Sequence, residues 1–242
     1  MSLISLCAIV VATFFAALLS GSIGSGGGLL LLPILSTIVG VQNAVPMLTS
    51  IQIVSNASRA SLSWRTIRWR ALFRFASVAV PTTILGSYAF VHLNKGVLMH
   101  VIGTCLVLFI AINFFKRPTD EQTQKSEKFF LPFAAMAGFL SGMIGTAGPL
   151  GPLAFLSLEM SPVEFIATDA TCSLILHMVK LAVYQSSLNI PAELWALSVG
   201  LAFVTIIGSW SGKNIAKHIP TNTFKKVVMG SLAVSSIMLA VR

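Results

Sequence analysis

The sequence predicts an all-α, polytopic membrane protein built from two related halves. Of its 242 residues, 55% are hydrophobic and 10% are charged, whereas soluble domains carry about 25% charged residues. Several apolar stretches approach the ~20 residues with which a helix crosses about 30 Å of hydrocarbon. A glycine-rich run early in the chain also returns in its second half. The clearest stretches are 3–19, 71–91, 97–115 and 194–212.

The charged residues point to a bilayer rather than to nucleic acid. The formal net charge is +9, but the basic residues lie mostly in short runs between apolar segments, as in membrane proteins. The three cysteines have no CxxC spacing, so neither a disulfide framework nor a zinc site is expected. Because HExxH, GxSxG and paired carboxylates within the spans are also missing, we expect no enzyme, no metal and no cofactor.

An internal duplication organises the chain. The Leu-Ser-Gly triplet that ends at Gly21 overlies the triplet that ends at Gly142, an offset of 121 residues. We therefore divide the chain into a first membrane repeat (1–115), a polar cytoplasmic linker (116–128) and a second membrane repeat (129–242). Each repeat is expected to be a glycine-broken re-entrant hairpin followed by three transmembrane helices. The main glycine pairs are Gly21 with Gly142, Gly24 with Gly145, Gly27 with Gly148, and Gly86 with Gly208 at an offset of 122.

The short basic loops predict how the repeats are oriented. Lysine and arginine are concentrated in 65–74, 116–128 and 213–226, and positively charged loops stay cytoplasmic. Residues 129–158 then start and end on the same side of the membrane, and the first repeat runs the opposite way. Both termini are expected outside. Inverted repeats are typical of secondary carriers, in which the substrate binds near the midplane and rocking of the repeats alternates access.

The two glycine-rich apices are expected to interrupt their helices. The first reads GSIGSGGG (21–28) and the second GMIGTAGP (142–149), and a helix interior tolerates glycine and proline poorly. A broken backbone in hydrocarbon lines protein or water, and amides at a new helix N-terminus bind anions. The alternative is that these glycines only allow close helix packing. The apex candidates for substrate binding are Ser25, Gly26, Gly27, Gly28, Thr146, Ala147 and Gly148.

A polar stripe follows each apex at helical spacing. Ionisable residues inside a membrane are usually functional, and Arg59 and Lys180 occupy equivalent positions, which suits two cations on opposite sides of an oxyanion. Either cation could instead snorkel to an interface. Asp169 is a candidate for coupling protons to transport, or it neutralises Lys180 or His177. The stripe candidates for substrate binding are Gln52, Asn56, Arg59, Ser173, His177 and Lys180.

The two apices, SGSIGSGGGLLLLPIL and SGMIGTAGPLGPLAFL, resemble those of the sulfite exporter TauE/SafE family. The second departs from the glycine-rich pattern at Ala147 and Pro149. The resemblance implies transport of sulfite, thiosulfate or an organosulfonate across the bacterial cytoplasmic membrane. We expect a secondary transporter that exports sulfite or a small organosulfonate. Thiosulfate ranks lower because its carriers are implied to use cysteines, and an anion channel is the alternative.

Overall fold

The structure is a computed structural model that describes residues 3–24, 27–92, 130–145, 151, 154–155, 158, 160–188, 190–216, 218, 220 and 223. Within these ranges the chain forms seven α-helices, one short 3-10 helix and no strand. The linker expected at 116–128 and the span expected at 97–115 lie outside the described residues. So do five of the apex candidates: Ser25, Gly26, Thr146, Ala147 and Gly148.

The described helices confirm an all-α chain with membrane-length segments. Helices α4, α6 and α7 are long and apolar enough to cross a bilayer, while α1 and α5 contain shorter apolar stretches. Their bounds are α1 (Leu3–Ile23), α2 (Gly27–Val39), α3 (Val41–Leu62), the 3-10 helix (Trp64–Thr66), α4 (Trp69–His92), α5 (Phe130–Ile144), α6 (Pro162–Ser187) and α7 (Ala192–Ala216).

The start of α6 is set by local sequence and tied to the first half. Ser161 and Glu164 form a capping box, and Pro162 occupies the first turn, where its missing amide hydrogen costs nothing. Glu164 also pairs with Arg68 at 3.0 Å, and the Arg68 amide donates to the Thr168 hydroxyl at 3.0 Å. The basic segment before α4 is thereby held against the N-terminus of α6.

Two helix pairs join the halves through equivalent glycine contacts. Helix α1 packs along α7, and α5 packs along α4. A Cβ on Gly21 would lie 2.7 Å from the Ser209 carbonyl oxygen, and one on Gly142 would lie 2.6 Å from the Ser87 amide nitrogen. Because no side chain fits there, these glycines allow the close helix approach common in membranes. The packing role that the sequence left open therefore holds for Gly21 and Gly142.

A further contact between the halves is the packing of α3 against α6. An aliphatic cluster surrounds it on the side of α1 and α2, and an aromatic cluster on the side of α4 and α5. In the aromatic cluster Phe75 stacks on Phe155 with 5.0 Å between ring centroids. Helices α3 and α6, which carry the polar stripes, thus form the buried centre of the described structure.

Candidate substrate site

The first apex is a break between α1 and α2. Helix α1 ends at Ile23, and Gly24 has φ of 90°, a left-handed conformation that favours glycine. Its amide donates to the Ser20 carbonyl at 2.8 Å, which is the usual glycine cap of a helix C-terminus. The Gly27 amide then donates to the Ser20 hydroxyl at 3.1 Å. One serine therefore joins the end of α1 to the start of α2.

The second apex ends its first helix in the same way. Helix α5 stops at Ile144, Gly145 has φ of 82°, and its amide donates to the Ser141 carbonyl at 3.0 Å. Ser141 and Gly145 stand 121 residues after Ser20 and Gly24. Both helices therefore end where the sequence predicts an interruption, and with the same cap.

Arg59 and Lys180 both bind the carbonyl end of a broken helix. One Nη of Arg59 donates to the carbonyls of Ser20 at 3.0 Å and Gly24 at 2.9 Å. The Nζ of Lys180 donates to the Gly145 carbonyl at 2.6 Å, with Ser141 carbonyl and hydroxyl oxygens at 3.3 and 3.1 Å. A cation at a helix C-terminus also complements the macrodipole.

Neither Arg59 nor Lys180 extends its charged group to the surface of the structure. The exposed fraction is 5% for Arg59 and 0% for Lys180, so neither side chain reaches an interface. The second Nη of Arg59 also donates to the Asn56 side chain. Since backbone oxygens and Asn56 occupy these donors, the two cations hold the helix breaks. Of the three guanidinium nitrogens of Arg59, only Nε has no hydrogen-bond partner among the described residues.

The remaining members of the stripe lie at the crossing of α3 and α6. Asp169 is buried, and the positive charge that acts on it is that of Arg59, not that of Lys180 or His177 as one alternative expected. His177 is buried, and its Nδ1 has no partner within the described part of the chain. Ser173 is half-buried. Asp169 on α6 therefore lies within the influence of the Arg59 charge on α3, without a direct ion pair between them.

A separate cavity opens beside the N-terminus of α2. The empty space between its wall atoms totals about 200 Å³, part of it open to the surroundings, and its enclosed part holds about one water molecule. It lies between α1, α2, α3 and α7. Gly27 and Gln52, both predicted from sequence, line it, and Gly28 is buried in the same first turn of α2. The other lining residues are Thr13, Ala16, Ala17, Leu31, Ile51, Ser55 and Thr205.

The cavity presents hydrogen-bonding groups and no charged side chain in its lining. Thr13 is fully buried, and its Oγ1 has no hydrogen-bond partner among the described residues. Gln52 is 9% exposed. Of α2, Gly27 and Leu31 line the cavity, and the Gly27 amide already donates to the Ser20 hydroxyl. An anion that accepts from the Thr13 hydroxyl and the Gln52 side-chain amide would satisfy these two groups once the cavity widens to admit it.

Sequence reasoning missed the three hydroxyls of the cavity, those of Thr13, Ser55 and Thr205. Their only signal is a hydroxyl within an apolar span, and such hydroxyls commonly bond their own helix backbone, as Thr205 does to Ala202 at 2.7 Å. Of the predicted site residues, Gly27 and Gln52 reach the cavity. Among the described residues, no three His, Cys, Asp or Glu side chains are grouped to hold a metal.

The family comparison covers nearly all of these elements. The chain matches the family model described as sulfite exporter TauE/SafE over residues 9–239. No curated protein and no solved structure gave a significant match. The matched region contains both apices, both stripes and the cavity. The chain is therefore a member of the sulfite exporter TauE/SafE family, a family of membrane transporters rather than enzymes.

Proposed function

We propose that this protein is a secondary carrier that exports sulfite or a small organosulfonate across the bacterial cytoplasmic membrane. The observation that carries the proposal is the cavity at the N-terminus of α2, with the unpartnered Thr13 hydroxyl on its wall. Family membership indicates a sulfur-anion transporter, and the cavity offers such an anion its hydrogen-bond donors.

The proposed binding chemistry uses neutral donors. A sulfite or sulfonate head has three oxygens, which can accept from the Thr13 hydroxyl, the Gln52 amide and the first amides of α2 after Gly27. The positive end of the α2 macrodipole favours the negative charge without a cation in contact. Ser25 and Gly26 directly precede α2, and we keep both in the proposed ligand set.

Arg59 and Lys180 have a different role in this proposal. Their donors bind the carbonyl ends of α1 and α5, so they fix the shape of each break instead of contacting the substrate. Asn56 assists Arg59. Thr146, Ala147 and Gly148 occupy the second-half positions that correspond to Ser25, Gly26 and Gly27, and we assign them to the second apex rather than to the cavity.

Transport is proposed to follow from two inverted repeats that rock against each other. The equivalent α1–α7 and α4–α5 contacts and the equivalent caps at Gly24 and Gly145 support a two-fold relation. Alternating access then opens the cavity to one side at a time. Both termini would face the outside, and labelling of terminal cysteines with an impermeant reagent in intact cells would check this orientation.

The function is tested by sulfite flux in proteoliposomes. Uptake of radiolabelled sulfite is expected to saturate, and unlabelled sulfite inside the vesicles is expected to accelerate it by counterflow. Sulfoacetate, taurine and thiosulfate serve as competitors that rank the substrates. Flux that follows the membrane potential without saturation or counterflow would instead identify an anion channel. Absence of uptake for all four compounds, each supplied in turn as the labelled substrate, would contradict the transport proposal.

The same assay tests whether Asp169 couples protons to transport. A buried carboxyl beside Arg59 is suited to bind and release a proton during the cycle. The Asp169→Asn variant is expected to exchange sulfite normally when the pH is the same on both sides of the membrane. It is expected to lose the acceleration that a pH gradient gives the wild-type protein. A full response of Asp169→Asn to the gradient would remove Asp169 from the coupling step.

A further inference from the structure

Two of the hydroxyls on the cavity wall have apolar counterparts in the second half, although much of the fold is duplicated. At an offset of 121, Thr13 corresponds to Ala134 and Ser55 corresponds to Leu176. Ala134 and Leu176 are both buried, and both belong to the aromatic cluster beside α4 and α5. Where the first half presents two hydroxyls to a cavity, the second half therefore presents packed hydrocarbon.

The counterparts that do keep a polar group use it differently. Thr205 on the cavity wall corresponds to Thr83 at an offset of 122, but the Thr83 hydroxyl donates to the Gly138 carbonyl of α5 at 2.9 Å. Gln52 corresponds to Ser173, whose side chain is shorter and half-buried. Thr83 thus serves helix packing, and no described residue of the second half repeats the unpartnered Thr13 hydroxyl.

We propose that each chain has a single anion site, in the first half, and that the second half supplies one wall through Thr205 while its own counterparts of Thr13 and Ser55 carry no hydroxyl. The proposal rests on the function proposed above. In this proposal the two repeats differ in anion binding but share their helix caps and helix–helix contacts. One repeat holds the substrate, and the other is the scaffold against which it moves.

Two isosteric substitutions separate a ligand hydroxyl from a structural one. Thr13 and Thr83 are both fully buried threonines, so Thr→Val changes the same atoms in each. Thr13→Val removes a hydroxyl that has no partner among the described residues, so it should preserve folding and weaken anion binding about tenfold, the effect of one lost hydrogen bond to a charged group. Thr83→Val removes the bond to Gly138 and should lower the unfolding temperature while it leaves the anion Kd within about twofold.

The experiment is calorimetric titration of the detergent-purified full chain with sulfite in anaerobic buffer. The expected result is one sulfite per wild-type chain, a Kd raised in Thr13→Val, and a Kd retained in Thr83→Val. Gln52→Ser, which introduces the second-half residue, provides a second weakened variant if Thr13→Val does not fold.

Two results would overturn the single-site inference alone: two sulfites per wild-type chain, or an unchanged Kd in both cavity variants. Equal weakening in Thr13→Val and Thr83→Val would overturn it as well, because both halves would then contribute a site. A wild-type chain that binds no sulfite, sulfonate or thiosulfate would contradict the proposed function itself, which distinguishes the two failures.

Discussion

Arg59→Ala is expected to yield a protein that is poorly folded, not merely one that transports slowly. Removal of the guanidinium leaves the carbonyls of Ser20 and Gly24 and the side chain of Asn56 buried without their donor. It also removes a positive charge that acts on the buried Asp169. Each buried polar group left without its donor costs about 1–3 kcal/mol, so the three acceptors together lose several kcal/mol. Native proteins are stable by about 5–15 kcal/mol, so a large share of this margin is lost.

The duplication itself supplies the control for Arg59→Ala. Lys180 performs the equivalent task with an ammonium group, so Arg59→Lys is expected to keep both carbonyl bonds and to lose only the contact with Asn56. Tryptophan fluorescence during heating, together with size-exclusion chromatography in detergent, measures the outcome. We expect the unfolding temperature of Arg59→Ala to fall by roughly 10 °C or more and that of Arg59→Lys by much less.

A different result would restore the interpretation that the sequence favoured. If Arg59→Ala and Lys180→Ala unfold at the wild-type temperature but no longer bind sulfite, the two cations contact the substrate. The capping role would then be wrong, and the oxyanion would lie between the two halves instead of in the cavity.

The second large effect is expected at the glycine contacts between helices. A Cβ at Gly86 would overlap the backbone carbonyl of Phe139 on α5, and a helix backbone cannot move aside as a flexible side chain can. Gly86→Val is therefore expected to force α4 and α5 apart and to cost about 3 kcal/mol or more, at or above the usual range for overpacking. Yield and unfolding temperature of the purified variant report this cost.

Gly200→Val is the matched control for Gly86→Val. Gly200 also lies within a membrane-length helix, but a Cβ there meets nothing within 4 Å. Its substitution is expected to stay within about 1 kcal/mol of wild type, the scale of helix propensity alone. Equal losses in both variants would mean that valine is harmful for a reason other than the α4–α5 contact.

Sequence alone could predict the breaks because glycine and proline report directly on backbone conformation. The repeat alignment pairs Gly24 with Gly145, and the structure gives both the same left-handed φ and the same cap. The alignment also pairs Arg59 with Lys180, and each binds the equivalent two backbone carbonyls. Repetition in the sequence is thus accompanied by repetition in contacts.

The role of those cations could not be predicted from sequence. Arg59 lies 35 residues after Gly24 along the chain, and only the packing of α3 against the end of α1 brings its guanidinium to the carbonyls. An inward-facing arginine in a polar stripe is equally compatible with binding an anion and with capping a helix. The acceptors that decide between these roles are backbone carbonyls, which every residue carries, so the residue types do not reveal them.

The cavity could not be predicted from sequence either, for a related reason. Thr13 is a hydroxyl in an apolar helix, and what marks it in the structure is the lack of a hydrogen-bond partner among the described residues. A sequence reports which groups exist but not which of them go unpaired. Thr13 and Thr83 look alike in sequence, and only Thr83 is bound to a carbonyl of the neighbouring helix.

The location of the bound anion distinguishes a substrate in the cavity from one held by the two cations. Selenite is a heavier analogue of sulfite whose selenium can be located by anomalous diffraction in crystals of the full chain. We expect one selenium site per chain, within hydrogen-bonding distance of the Thr13 Oγ1 and the first amides of α2. Selenium held between Arg59 and Lys180, or at an equivalent second-half position beside Ala134, would contradict it.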